Sequence, residues 1–309
     1  RGDRLPRQPR RPQPGAVTGV VQGSCYGFQP VSELSFEYLR GGGGEPFAVA
    51  ELEGEPDNGD GVLVTEWAPI PDRRIGARLY ADGTFAVDPE APSVGLPAGG
   101  ADAVRREERL WGVPTMLCFL ARGDLPLHAA AVDVGGEAVL LAAPGYFGKT
   151  TLAAGFDAAG YRVLAEDVSC IRFDPDPQLV PGPAMLRVRR DVAGGLELPG
   201  ARAVAESDDR VHFSLDPGRR GDSRPVPLRA ILLLRRGEDE IAIEPVPAAG
   251  ALRDLWPLSF RLPTAEDRAR CFDGIARLAA SVRIWNLVRP LKLGELGRAV
   301  VGGQADARP

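Results

Sequence analysis

The sequence predicts an α/β protein in which a smaller, mostly β N-terminal domain precedes a larger domain with a mixed sheet. Two observations support this prediction. Residues 16–87 consist of short apolar runs separated by Gly, Pro, Asp and Asn clusters, a pattern typical of strands. From Leu127 onward, strand-like runs alternate with helix-like segments, and one apolar run leads through a glycine loop into a helix start.

Composition limits the class of protein. The chain has 309 residues, a net charge of −5, 44% hydrophobic residues and 26% charged residues, which suits a globular core. The charge gives no reason to expect nucleic acid as a partner. No apolar run approaches the roughly 18 residues of a membrane span, and the first residues lack the apolar region of a secretory signal. We therefore expect a cytoplasmic protein that contacts neither nucleic acid nor a membrane, with a homo-oligomer possible.

The four cysteines and two histidines argue against a zinc site built on His and Cys. Cys25, Cys118, Cys170 and Cys271 are far apart and lack metal-ligand spacing. In a cytosolic chain they are expected to be buried free thiols.

The chain divides into four predicted segments. The first is an Arg/Pro-rich tail and the last a fraying C-terminus, and both compositions are unsuited to a packed core. The bounds are 1–15 for the first tail, 16–100 for the β accessory domain and linker, 101–301 for the nucleotide-binding domain and 302–309 for the last tail.

Within the accessory domain the predicted strands alternate with loops. The Pro/Gly-rich residues 89–100 are predicted to be the linker. Residues 101–122, at the start of the next domain, are predicted to be a helix that Pro114 kinks or divides. The predicted strands are 16–21, 31–39, 47–52, 62–67 and 75–81.

The larger domain contains a P-loop pattern. The run 138–141 is a predicted strand, 151–156 a helix start, and Gly-Lys-Thr lies between them. Backbone N–H groups of such a loop hold phosphate oxygens, while the lysine reaches the β- and γ-phosphates and the threonine hydroxyl binds Mg²⁺. The predicted nucleotide-binding residues are Ala143, Pro144, Gly145, Tyr146, Phe147, Gly148, Lys149, Thr150 and Thr151.

The first position of this pattern is Ala143, where the consensus has glycine. Alanine fits there if the residue has a negative φ. A chance Gly-Lys-Thr on a surface loop is the alternative, and the flanking strand and helix patterns argue against it.

An acidic pair follows the next predicted strand. Residues 161–165 are expected to run beside the P-loop strand and to deliver Glu166 and Asp167 to its carboxyl end. A carboxylate there can orient and deprotonate an incoming hydroxyl. Positive side chains must also cover a transferred phosphoryl group, and the basic run Arg187, Arg189 and Arg190 offers candidates, although it could equally be a solvated face.

The stretches Leu127–Val134, the P-loop and Gly160–Asp167 together resemble the nucleotide-binding half of the HPr kinase/phosphorylase family. They are most similar to its HPr-kinase-like relatives in bacterial peptide natural-product clusters. The specific likeness covers residues 127–171, and the first 90 residues add nothing to it. The resemblance implies an HPr-kinase-like P-loop fold, ATP and Mg²⁺ as cofactors, and a phosphotransferase activity.

The resemblance also implies roles for individual residues. It makes His128 an active-site residue, Lys149 the phosphate ligand and Asp167 the base that takes the proton from the acceptor hydroxyl. Thr150 and Glu166 become the Mg²⁺ ligands, with Glu166 standing where the family usually has aspartate. The glycine-rich stretch by which true HPr kinases recognise their carrier protein is absent, which argues against HPr as the substrate.

The sequence therefore predicts an ATP-dependent kinase of a hydroxyl, with serine favoured, on a peptide or small protein. A kinase of a small-molecule hydroxyl is the alternative enzyme. A non-catalytic nucleotide-binding scaffold in a biosynthetic complex is the alternative outside enzymes, and it would bind ATP without turnover.

Overall fold

The protein is described here by a computed structural model. It describes residues 19–54, 65–69, 75–79, 83–98, 102–198, 200–207, 209–237 and 241–290. The predicted tails 1–15 and 302–309 lie outside these ranges. The sequence also predicts an acidic loop over 53–61 and a short helix over 293–301; most of the loop and all of the helix segment lie outside as well.

The N-terminal part forms a six-stranded sheet in the order β1-β2-β6-β5-β4-β3. Strand β6 falls inside the segment predicted as a linker, because Val94 and Leu96 alternate inward and are buried against the sheet core. The strands are β1 (Phe28–Val31), β2 (Glu45–Glu51), β3 (Thr65–Pro69), β4 (Ile75–Leu79), β5 (Thr84–Asp88) and β6 (Ser93–Leu96).

The predicted strand 31–39 is wrong beyond Val31, where the chain becomes irregular. In this segment side chains hydrogen bond to the backbone groups that would otherwise pair with a neighbouring strand. The Ser32 hydroxyl accepts from Leu34 N and donates to Val49 O, while the Glu107 carboxylate accepts from the N–H groups of Glu37 and Tyr38. Local hydrogen bonds of this kind compete with a strand ladder.

Two helices, α1 (Ala103–Leu110) and α2 (Val113–Arg122), occupy the predicted helical segment, which confirms its division near Pro114. Pro114 lies in the first turn of α2, where its missing N–H needs no partner. Gly123 ends α2 with φ 87°, the left-handed conformation common after helices. The helices share a core with the N-terminal sheet, which also includes Cys170 and Val180 of the larger sheet.

The second sheet is mixed and eight-stranded, which confirms the predicted mixed α/β arrangement. Its order is β11-β10-β7-β8-β15-β17-β16, with β9 paired to β7 and β11 also paired to β15. The strands are β7 (Leu125–Val134), β8 (Glu137–Ala142), β9 (Arg162–Ala165), β10 (Val168–Phe173), β11 (Pro177–Val180), β15 (Val226–Arg236), β16 (Ala242–Pro245) and β17 (Arg283–Arg289).

The sequence predicts that strand β9 lies beside the P-loop strand β8, and this prediction is wrong. Gly135 and Gly136, with φ 68° and 88°, close a tight hairpin that places β7 against β8. The other edge of β7 then pairs with β9 and β10. Because β8 and β9 are both antiparallel to β7, their carboxyl ends still emerge at the same edge of the sheet.

Helices cover both faces of this sheet. Helix α3 (Lys149–Ala158) packs on one face, where a small sheet shares its core. Helices α6 (Ala248–Leu255) and α7 (Ala265–Ser281) pack on the other. The small sheet has the order β12-β14-β13, and its elements are β12 (Met185–Arg189), α4 (Arg190–Ala193), β13 (Ala201–Glu206), β14 (Arg210–Leu215) and α5 (Pro217–Arg220).

Two sequence features prove to be structural. All four cysteines are free and buried. His212 is half-buried on β14 and lies 2.7 Å from the Glu108 carboxylate through Nδ1.

Among the helices in the ranges that the structure describes, none is long and apolar enough to cross a bilayer.

Candidate functional site

The loop from Ala143 to Gly148 leaves the buried strand β8 and turns into α3. Gly148 caps the helix with φ 76°, and a Cβ there would lie 2.7 Å from a nitrogen of Arg289, so this position requires glycine. Ala143 is buried and does not have a positive φ, which satisfies the condition for alanine at that position. Tyr146 adopts φ 64° with its side chain exposed, at the tip of the turn.

Lys149 is the first residue of α3 and is only 6% exposed. Its Nζ donates to the carbonyl oxygens of Ala143 at 2.9 Å and Pro144 at 3.2 Å. Burial lowers the pKa of this ammonium group, while the charges of Asp167 and Glu166 oppose that shift. The ammonium is therefore a cation held at the loop, with three donors that phosphate oxygens could share.

Thr150 and Glu166 form a pair of oxygen ligands beside the loop. The Thr150 hydroxyl donates to Oε1 of Glu166 at 2.5 Å, and Glu166 is 2% exposed. The other carboxylate oxygen, Oε2, accepts from Nε of Arg187 at 2.9 Å. Within the described ranges no cluster of three or more His, Cys, Asp or Glu is placed to hold a metal ion alone. Two oxygens fit Mg²⁺ bound to a nucleotide, because Mg²⁺ usually takes few protein ligands and completes its shell with phosphates and water.

Asp167 lies next in the chain and is held from two sides. Its Oδ1 lies 3.0 Å from Nε2 of His128, and its Oδ2 accepts from Nη2 of Arg187 at 3.1 Å. Burial raises the pKa of this carboxyl, but the His128 hydrogen bond and the charges of Arg187, His128 and Lys149 outweigh it, so the pKa is lowered. The side chain remains 43% exposed. Asp167 is therefore an ionised acceptor that keeps lone pairs open to solvent.

Of the three candidate arginines, only Arg187 reaches this cluster. Burial lowers the pKa of its guanidinium, and the nearby charges of Glu166 and Asp167 raise it by more, so it stays charged. Arg189 pairs with Asp191, and Arg190 pairs with Glu206, both at the surface. The structure thus places Arg187 at the acidic pair and the other two arginines at the surface, a difference that the sequence alone did not show.

Arg289 was not singled out from the sequence. It ends β17, which runs parallel to β15 and β8, so its guanidinium lies at the same sheet edge as the loop. Nη2 donates to the carbonyl of Phe147 at 2.8 Å, and Arg289 is 2% exposed. Among the described residues its Nε has no hydrogen-bond partner, and burial lowers its pKa. The sequence pattern predicts a strand only over residues 284–287, which leaves Arg289 beyond the sheet.

The remaining predicted residues lie around the same loop. Gly145 sits in the turn with open space around its Cα. Phe147 is half-buried under the guanidinium of Arg236, 4.8 Å from the ring centre. Thr151 is half-buried in the first turn of α3. The structure therefore brings the predicted loop, His128 and the acidic pair together at one edge of the sheet.

Comparison with known proteins assigns no family. No protein-family model matches this chain, and no characterised protein sequence matches it. The solved structure of the Hpr(Ser) kinase/phosphatase from Coxiella burnetii is similar over 58% of this chain and 96% of its own, with 10% sequence identity and a TM-score of 0.30. A likeness at that TM-score does not place the chain in a family.

Proposed function

We propose that the protein is an ATP-dependent kinase that transfers the γ-phosphoryl group to a hydroxyl of a peptide or small protein. The observation that supports this function best is the convergence of Lys149, Thr150, Glu166 and Asp167 at one sheet edge. Phosphoryl transfer depends on positioning and charge neutralisation, and this cluster offers both.

Each side chain has a distinct part. Lys149 and the loop amides bind the phosphates, with the N-terminus of α3 adding partial positive charge. Thr150 and Glu166 would hold Mg²⁺, which when bound neutralises developing charge on the phosphates. Asp167 accepts the proton of the acceptor hydroxyl. The acceptor oxygen then forms a bond to the γ-phosphorus, the bond from that phosphorus to the β,γ-bridging oxygen breaks, and ADP leaves.

Two arginines position this machinery. Arg187 holds both carboxylates in place and keeps Asp167 ionised. Arg289 donates to the carbonyl oxygens of Phe147 and Gly148. With these carbonyls turned toward Arg289, the N–H groups of the loop are left free to face the phosphates. Both are positioning residues, since their contacts are with protein groups.

The test is turnover of γ-labelled ATP with Mg²⁺, followed as ADP and labelled product. Wild-type protein should release ADP, and Lys149→Ala should abolish release. Arg189→Met is the control for Lys149→Ala, because it removes a cation whose side chain is about half exposed and pairs with Asp191. It should release ADP as the wild type does. ATP binding with no hydrolysis and no transfer to any peptide or alcohol would contradict the proposal and favour a nucleotide-binding scaffold.

A further inference from the structure

A cavity adjoins the exposed side of Asp167 and has a volume of about 180 Å³. Asp167 and Arg187 lie at one part of its lining. Trp111, Met116 and Met185 form apolar walls, and all three are almost fully buried. The cavity is thus a space between the N-terminal helices, β12 and the acidic pair.

The charged groups in this lining are largely engaged. Glu108, also in the wall, accepts from the Tyr38 hydroxyl at 2.9 Å and lies 2.7 Å from Nδ1 of His212. Glu166 is bonded to Thr150 and Arg187. Asp167 contacts His128 and Arg187 but differs in accessibility, because its side chain is 43% exposed. A ligand would therefore meet apolar walls and the accessible carboxylate of Asp167, with Arg109 and Arg187 also in the lining.

The size of the cavity also restricts its ligand. An apolar protein cavity of about 150 Å³ can hold benzene, so the present one accommodates a group of about that size. A serine side chain has no body to fill it. Peptide amides brought into the cavity in its place would be left without hydrogen-bond partners, which is unfavourable.

We propose that this cavity is the acceptor subsite and that it takes a hydroxyl carried on an apolar body about the size of an aromatic ring. The inference rests on the proposed kinase function and narrows its acceptor. The hydroxyl hydrogen bonds to Asp167, and the body packs on Trp111, Met116 and Met185. The proton passes to Asp167 as the oxygen bonds to the γ-phosphorus and ADP departs. A small aromatic alcohol and a tyrosine side chain share this chemistry.

The experiment compares three probes with Mg·ATP and full-length protein: 2-phenylethanol, N-acetyltyrosine amide and N-acetylserine amide. Phosphate ester should form on at least one of the first two, with a KM about tenfold or more below that of the serine probe. 2-Phenylethanol alone would identify a small-molecule acceptor, and the tyrosine probe would identify an aromatic peptide side chain.

A cavity-filling variant tests the location. Val113→Phe adds a ring from the half-buried start of α2, which lines the cavity. It should raise the KM for the apolar probe by about tenfold or more while the KM for ATP stays unchanged. Ala121→Phe is the control, since Ala121 is an exposed position on the same helix.

Several results would overturn the inference. These are equal or better use of the serine probe, no ester on either apolar probe while ATP still binds, and an unchanged KM in Val113→Phe. Absence of ATP binding by the wild-type protein would instead refute the kinase function itself, so the two failures can be told apart.

Discussion

Two acids of this protein, Asp167 after β9 and Glu107 on α1, have opposite electrostatic surroundings. Glu166 and Asp167 follow β9 among Arg187, His128 and Lys149, and the pKa of Asp167 is lowered. Glu107 has no ion pair within the described residues. Burial raises the pKa of the Glu107 carboxyl to about 7, against the hydrogen bonds that it accepts.

The comparison shows that neighbouring cations and an exposed edge together decide whether a carboxylate can receive a proton from a ligand. Glu107 accepts from the N–H groups of Glu37 and Tyr38 and from Nε1 of Trp111, so it fastens α1 to the irregular segment after β1. Asp167 is fixed by side chains and keeps an exposed, ionised edge. Only the second arrangement offers an incoming hydroxyl an accessible carboxylate, because Glu107 is just 5% exposed.

The largest expected effect is on catalysis at Asp167. Asp167→Asn keeps size and shape but removes the charge, so transfer should fall by about 10²–10⁴-fold while ATP affinity is retained. Glu166→Gln should instead weaken the Mg²⁺ dependence. Initial rates and calorimetry on each variant measure both effects.

Asp191→Asn is the matched control, because Asp191 is a surface acid that pairs with Arg189. It should leave transfer unchanged. A wild-type rate in Asp167→Asn with a dead Glu166→Gln would reverse the two roles. Full activity in both variants would remove the mechanism altogether.

The next effect concerns stability at Arg187. Arg187→Met leaves the buried Glu166 carboxylate and the Asp167 carboxylate without their shared cation. The free energy of unfolding should fall by about 3 kcal/mol or somewhat more, as for other broken buried ion pairs. Urea unfolding at pH 7 measures it, with Arg189→Met as a control expected within about 0.5 kcal/mol of wild type. Equal losses in both variants would mean that the acidic pair does not depend on Arg187.

A smaller effect distinguishes Glu107 by its pH dependence. Its folded pKa of about 7 lies above the ordinary value of 4.5, so the folded state binds the proton more tightly than the unfolded chain. Its contribution to stability is therefore fully present below pH 4.5 and is lost as pH rises through about 7. The loss amounts to at most about 3 kcal/mol.

Glu107→Gln should remove that decline, which urea unfolding at several pH values between 4 and 8 would detect. The slope of unfolding free energy against pH is the relevant readout, since the amide also changes the hydrogen bonds to Glu37 and Tyr38. An unchanged slope in the variant would show that the pKa of Glu107 is not raised in the folded protein.

Local patterns carried much of the fold prediction. The apolar run of β8, the Gly-Lys-Thr sequence and the glycines of the β7–β8 turn are short-range signals. The sequence likewise predicts a strand over 168–173 and a helix over 265–281, and these bounds agree with β10 and α7. The acidic pair could be placed at a strand end for the same reason.

Long-range contacts could not be predicted in this way. The position of β7 between β8 and β9 depends on which strand edges pair, and periodicity does not encode that choice. Arg289 reaches the loop only through the register of β17 on β15. Arg187 differs from Arg189 through the carboxylates that the fold brings to it. The roles of these residues remain predictions.

The most direct test of the central claim is calorimetry of Mg·ATP binding to wild type and Lys149→Ala. The account predicts one binding site per chain in wild-type protein and a severe loss of affinity in Lys149→Ala. Arg253→Ala, at a side chain that is 80% exposed, should bind as wild type does. Equal affinity in the wild type and Lys149→Ala would contradict a phosphate site at the loop after β8.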